Sequence, residues 1–167
     1  MLIVFFSFTN SRFLTIENAL IILQQAAPLG IAAIGMTFVL ISAGIDISVG
    51  QNMYMSAIIV AITMEAMKPM GDFLGSPLSY MIIYSVAVLC GAAVGLINGI
   101  LIARFKIVPF IATLATMGIA RGVGLIASGS KVYFVERLSP ISNGNIAGIP
   151  NLIIIFVILL ITLIASR

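Results

Sequence analysis

The chain has no histidine and a single cysteine, Cys90, among its 167 residues. Without histidine it lacks the side chain most often used as a metal ligand and as a general base. With one cysteine it can form neither an intrachain disulfide nor a cysteine-based metal site, which leaves Cys90, inside an apolar run, to packing. Charge is scarce as well: 8% of residues are charged, against roughly 25% in a soluble domain. The eight basic residues are scattered rather than gathered on one stretch, which argues against a nucleic-acid partner. No G-x-x-x-x-G-K-[ST] loop occurs, so the chain carries no P-loop for ATP. No nucleophile–base pair or paired carboxylates can be assembled, and an enzyme is the least favoured class. The opening MLIVFFSFTN has neither a basic n-region nor a clear small-residue cleavage site. It reads as the end of a membrane helix rather than as a signal peptide.

What the chain has instead is apolar length. Hydrophobic residues make up 62% of it, and uncharged runs cover residues 18–45, 47–64, 73–103, 107–120 and 138–166. A helical crossing needs about 20 mostly apolar residues. The runs predict an all-α, polytopic membrane protein with about five or six transmembrane helices in one transmembrane domain over residues 1–167. The expected spans are 16–43, 49–64, 78–103, 110–128 and 151–166, with a short sixth at 1–8. Thr15 is placed to cap the first long helix, with Glu17 in its first turn, and Pro28 is a site for a bend. Gly44 is expected to break that helix, and Asp46 or Ser48 to cap the next. Residues 65–77 and 128–150 read as polar loops. Pro109 is expected to set the start of the fifth span.

Orientation follows from positive charge. Arg104 and Lys106 lie in a tight connection between two spans, which favours the cytoplasm. Alternation then places Arg12, residues 65–77 and residues 128–150 outside, and the Asp46 junction and Arg167 toward the inside. Lys131, Glu136 and Arg137 oppose this weakly.

Asp46 is the most informative residue, because it is the only charge between Asn18 and Met64. An acid at membrane depth costs about 2.5–3.5 kcal/mol on insertion scales, so it usually faces a cavity, a partner or a path. It either lines a solute path or caps the following helix, and the two roles are compatible. Ser48 shares that ambiguity, and Asn98 is a third path candidate beside the alternative of bonding across to a neighbouring helix. Thr113 and Thr116 are weaker, since their hydroxyls can return to their own helix backbone. Small residues mark helix-packing faces: Gly30 with Ala26, Ala33 and Thr37, then Gly91, Gly95 and Gly99, then Gly118 and Gly122. Arg121 lies within the fifth span and is expected to snorkel toward the outer surface.

These residues carry a family resemblance. The segment Gly35-Met36-Thr37-Phe38-Val39-Leu40-Ile41-Ser42-Ala43-Gly44-Ile45-Asp46-Ile47-Ser48-Val49-Gly50 resembles the signature of ABC importer permeases for ribose, xylose and related sugars. In that signature a hydrophobic helix is followed by Gly-Ile-Asp-Leu-Ser-Val-Gly. A second block matches the same family in order and spacing: Asn98-Gly99 through Arg104, Ile107-Val108-Pro109-Phe110-Ile111-Ala112-Thr113-Leu114, and Gly118-Ile119-Ala120-Arg121-Gly122. The related permeases for branched-chain amino acids usually carry an Asn and a small or polar run in place of Asp46-Ile47-Ser48, so the carbohydrate branch is favoured. The resemblance implies a chain corresponding to the N-terminal half of such a permease, incomplete at both ends, in the bacterial inner membrane. It implies no cofactor on this chain, an ATP-binding partner subunit, a periplasmic solute-binding protein, and a second permease subunit in a homo- or heterodimer. Two other functions stay open: an independent secondary transporter with Asp46 as the coupling acid, and a non-transporting permease fragment.

Overall fold

A computed structural model describes residues 1–10, 12–133, 144–146 and 149–165. The elements are α1 (Leu2–Thr9), α2 (Ile16–Ile41), α3 (Val49–Met67), a 3-10 segment (Lys68–Gly75), α4 (Pro77–Ala103) and α5 (Pro109–Ser128). A two-residue antiparallel pair, β1 (Asn145–Ile146) and β2 (Ile149–Pro150), leads into α6 (Asn151–Ala165). The architecture is all-α apart from that pair. By length and composition α2, α4 and α5 can each cross a membrane, and α6 is a shorter apolar helix. The more polar α3, with Gln51, Asn52 and Ser56, buries Met55, Val60, Ala61, Met64 and Met67. A helix with protein on several sides can carry polar groups that lipid would not accept.

The chain divides into two compact units, one of residues 38–136 and one of residues 1–37 with 137–167. In the first, α3 is the shared element, packed on both α4 and α5, while α4 and α5 meet less extensively. Its core is Met55, Val94 and Ala120, with Ile59 and Cys90 packed against them; Cys90 is a packing residue. The buried face of α5 is small throughout: Ala112, Thr113, Thr116, Ala120, Gly124 and Ser128. A Cβ at Gly124 would lie 2.6 Å from Cε1 of Tyr54, so the absent side chain is what seats that ring. Between membrane helices apolar burial gives little drive, because lipid tails are as apolar as leucine. Close contact and interhelical hydrogen bonds carry more of the association.

The connections differ from their sequence-based expectation in two places. α2 stops at Ile41 rather than Ala43, and the left-handed residue of the stop is Ala43, at φ 56°. The Ala43 N–H donates to the Leu40 carbonyl at 3.0 Å and the Gly44 N–H to the Val39 carbonyl at 2.9 Å, the two bonds of a Schellman stop. At Gly44 a Cβ would be crowded, lying 3.1 Å from Val39 Cγ1 and 3.2 Å from the Val39 oxygen. The expected loop at 65–77 is largely helical instead: α3 runs on to Met67 and the 3-10 segment follows, with Gly71 at φ 61°. An exposed Glu65–Lys68 pair at 2.6 Å spans that joint. Ser76 caps α4 by accepting from the Ser79 N–H at 3.2 Å, with Pro77 at the first helical position.

In the other unit, Thr15 caps α2 as expected, its Oγ1 accepting from the Asn18 N–H at 3.2 Å, and Pro28 lies inside the helix. Gly30 meets the Phe156 ring, which a Cβ would approach to 2.5 Å. Of the 128–150 stretch, residues 134–143, 147 and 148 lie outside the described residues, as does Arg167. The orientation expected from Glu136, Arg137 and Arg167 therefore falls there too.

Candidate functional site

Residues 44–48 form a non-helical break between α2 and α3, and this break lies against the start of α5. The Ile47 N–H donates to Thr113 Oγ1 at 3.4 Å. The Thr113 hydroxyl hydrogen has the Pro109 carbonyl at 2.9 Å and the Ile45 carbonyl at 3.3 Å within reach. Thr113 is almost fully buried. An unsatisfied backbone group would be expensive here, and Thr113 supplies what the missing helix bonds do not.

Asp46 is half-buried, and its Oδ1 accepts from the Ser48 N–H at 2.8 Å and from the Ser48 hydroxyl at 2.6 Å. The second distance is that of a charge-assisted bond to a carboxylate. Neither side chain caps α3 in the expected manner: Ser48 is the cap residue, already in helical conformation, and bonds no N–H of the first turn. Its hydroxyl is committed backward to Asp46.

From Ser48 the hydrogen bonding crosses two further helices. Asn98 Nδ2 on α4 donates to Ser48 Oγ at 3.1 Å, and Thr116 Oγ1 on α5 donates to Asn98 Oδ1 at 2.8 Å. An ionised carboxylate only accepts. Ser48 must therefore give it the hydroxyl hydrogen, Asn98 must turn its NH2 toward Ser48, and Thr116 must donate to the amide oxygen left over. Ser48, Asn98 and Thr116 are each at least 95% buried. The start of α3, the end of α4 and the start of α5 are thus tied at one end of the three-helix unit, the end that also holds Arg104 and Lys106.

Asn52, one turn beyond Ser48, donates from Nδ2 to the Gly91 carbonyl at 3.4 Å. Its Oδ1 is buried with no partner among the described residues. Asp46 has no ion-pair partner among them either. No three His, Cys, Asp or Glu side chains converge among the described residues, so the junction offers hydrogen-bonding chemistry rather than a ligand set for a metal.

The three path candidates read from the sequence, Asp46, Ser48 and Asn98, therefore stand in one bonded row. Thr116 completes the row although its hydroxyl also reaches the Ala112 and Thr113 carbonyls, each at 3.2 Å. Asn52 was missed; its signal is the i, i+4 spacing from Ser48. The glycines are less uniform than their spacing suggests. At Gly91, Gly95, Gly99, Gly118 and Gly122 a Cβ would meet nothing within 4 Å among the described residues. Close contact with another helix occurs at Gly30, one of the glycines named from the sequence, and at Gly124, which was not among them.

Over residues 18–167 the chain matches the family described as branched-chain amino acid transport system, permease component. It belongs to that permease family. This permease is 32% identical over 155 residues to the ribose import permease protein RbsC of Haemophilus influenzae, covering 89% of the chain and 45% of that protein. It is 42% identical over 142 residues to the galactofuranose transporter permease protein YtfT of Escherichia coli K12, covering 84% and 39%. It is 32% identical over 140 residues to the galactose/methyl galactoside import permease protein MglC of Salmonella typhimurium, covering 81% and 40%. The chain spans about two-fifths of the length of these curated relatives. No solved structure matches the permease. An alignment of 142 residues out of 167 necessarily contains the junction from Asp46 to Thr116.

Proposed function

We propose that the chain forms part of the membrane-spanning permease of an ATP-driven importer, in the bacterial inner membrane, for a monosaccharide-like solute. The similarity to permeases named for ribose, galactofuranose and galactose carries this, because it runs through the whole Asp46–Thr116 junction. ATP is hydrolysed on a separate subunit, a periplasmic binding protein delivers the solute, and a second permease subunit completes the path. Alternating access requires helices that hold together in one state and part in another. The polar row suits that need: a solute hydroxyl can donate to Asp46 in place of Ser48, so passing solute competes with the bonds that tie α3, α4 and α5.

A second reading has one observation in its favour. Asp46 lacks an ion-pair partner among the described residues, as a proton-coupling acid in a secondary transporter would. Uptake of labelled ribose and galactose by membrane vesicles carrying the full-length gene product separates the two. The importer requires ATP together with the ATP-binding subunit and the binding protein, and it survives collapse of the proton gradient. Uptake that persists without ATP, and stops with the gradient or with Asp46→Asn, would favour the secondary transporter.

A further inference from the structure

Arg121 is the thirteenth of the twenty residues of α5 and the only charge between Ile107 and Ser130. At 1.5 Å rise per residue it stands about 18 Å from the Pro109 end and about 10 Å from the Ser128 end. The face of α5 that meets the other helices is Ala112, Thr113, Thr116, Ala120 and Gly124. Arg121 is exposed, off that face. No acid pairs with it among the described residues, where the ion pair is Glu65–Lys68.

Escape along the helix is poorly set up. The nearer end is the C-terminal one, whereas helical Cα–Cβ bonds tilt toward the N terminus. Snorkelling to Ser128 runs against that tilt, and the tilt itself leads the guanidinium back along the span. An ionisable group so placed faces a hydrated cavity, a pore or a partner rather than lipid. Among the described residues the surface beside it is clear: at Gly118 and Gly122 an added Cβ would meet nothing within 4 Å, so a ring can approach the helix backbone there. The guanidinium presents five donors in one plane and no acceptor, a match for the lone pairs of a hydroxyl-rich neutral molecule.

We infer that Arg121 lines the hydrated solute path and donates hydrogen bonds to the hydroxyls of a neutral monosaccharide-like solute. This rests on the importer reading above. The test uses the full-length permease with its partner subunits and with Cys90→Ala. Arg121→Cys is treated with a membrane-impermeant thiol reagent, with and without ribose or galactose, beside Ile126→Cys, a site 84% exposed on the same helix.

The Arg121→Cys thiol is expected to react at least tenfold faster than the Ile126→Cys thiol, and transported sugar is expected to slow it. Reaction no faster than at Ile126→Cys overturns the placement in a hydrated path. Reaction that no transported sugar slows overturns the solute contact. Sugar uptake by the unsubstituted permease, measured in parallel, shows whether the importer reading survives either failure. Where Arg121→Cys does not insert, Arg121→Lys keeps the charge and loses the planar donors. Its half-saturating sugar concentration is expected to rise about tenfold, and an unchanged value overturns the proposal.

Discussion

Asn98 links two other elements of the polar row, donating to Ser48 and accepting from Thr116 on α5. In Asn98→Ala, Ser48 loses its donor on α4 and Thr116 its acceptor on α4, both at positions at least 95% buried, though Thr116 keeps the Ala112 and Thr113 carbonyls within reach. Interhelical hydrogen bonds in membranes average about 0.6 kcal/mol, while leaving buried groups unpaired costs about 1–3 kcal/mol. We therefore expect Asn98→Ala to lower stability by about 1–2 kcal/mol, measured by denaturant unfolding of the detergent-solubilised permease. A loss no larger than that of Thr116→Val alone would show that the row does not connect α3 through Asn98. In the sequence Asn98 stood out as an amide in an apolar run, and Asp46 as a lone acid. Thr116 did not, because a helical threonine can always bond its own carbonyls. Here it does so and reaches Asn98 as well, a choice set by where α4 lies.

At the scale of elements, α5 shows what periodicity cannot decide. Its sequence offers two small faces: one through Gly118 and Gly122, the other through Thr113, Thr116, Ala120 and Gly124. The second is the one α3 and α4 cover. Nothing within α5 selects it; the fit of Tyr54 against Gly124 and of Thr113 against the break does. Gly124→Ala forces the Tyr54 ring aside and is expected to destabilise by about 1–3 kcal/mol. Gly95→Ala fills open space and removes a helix-interior glycine, so it is expected to be neutral or to stabilise by up to about 1 kcal/mol. Thermal unfolding followed by circular dichroism distinguishes them, and equal effects would refute the assigned faces. The end of α2 carries a similar lesson. A helix stop before Ile45 was legible, but the left-handed position is Ala43, while Gly44 stands close against Val39.

For the whole molecule, scarcity of charge was the strongest signal, and the fold class follows from it directly. Large apolar side chains face outward along the spans, among them Leu29, Phe38, Met81, Val88, Leu96 and Ile126, each more than half exposed. In water that surface would drive aggregation, whereas in a bilayer it is the required exterior. The protein is expected to stay in the pellet after an alkaline carbonate wash of membranes and to be released by detergent. Release by carbonate alone would contradict the membrane assignment. The polar α3 was legible as a largely uncharged helix, although among the described residues only α2, α4 and α5 are long and apolar enough to cross a membrane. Its place between α4 and α5 was not, because that depends on which partners are available to cover Gln51, Asn52 and Ser56.

The hydrogens between Thr116 and Asp46 all point in one direction, and this has a mechanical result. Turning the Asn98 amide over by itself would set its oxygen against a serine oxygen whose hydrogen is committed elsewhere. It would also set its NH2 against a threonine hydrogen still aimed at it. Two clashes follow from one rotation, so the members must reorient in concert. The joint between the three helices consequently has no half-turned setting. A change at the half-exposed carboxylate therefore bears first on the Ser48 hydroxyl and through it on the Asn98 amide, while Thr116 retains its own helix carbonyls as alternative acceptors.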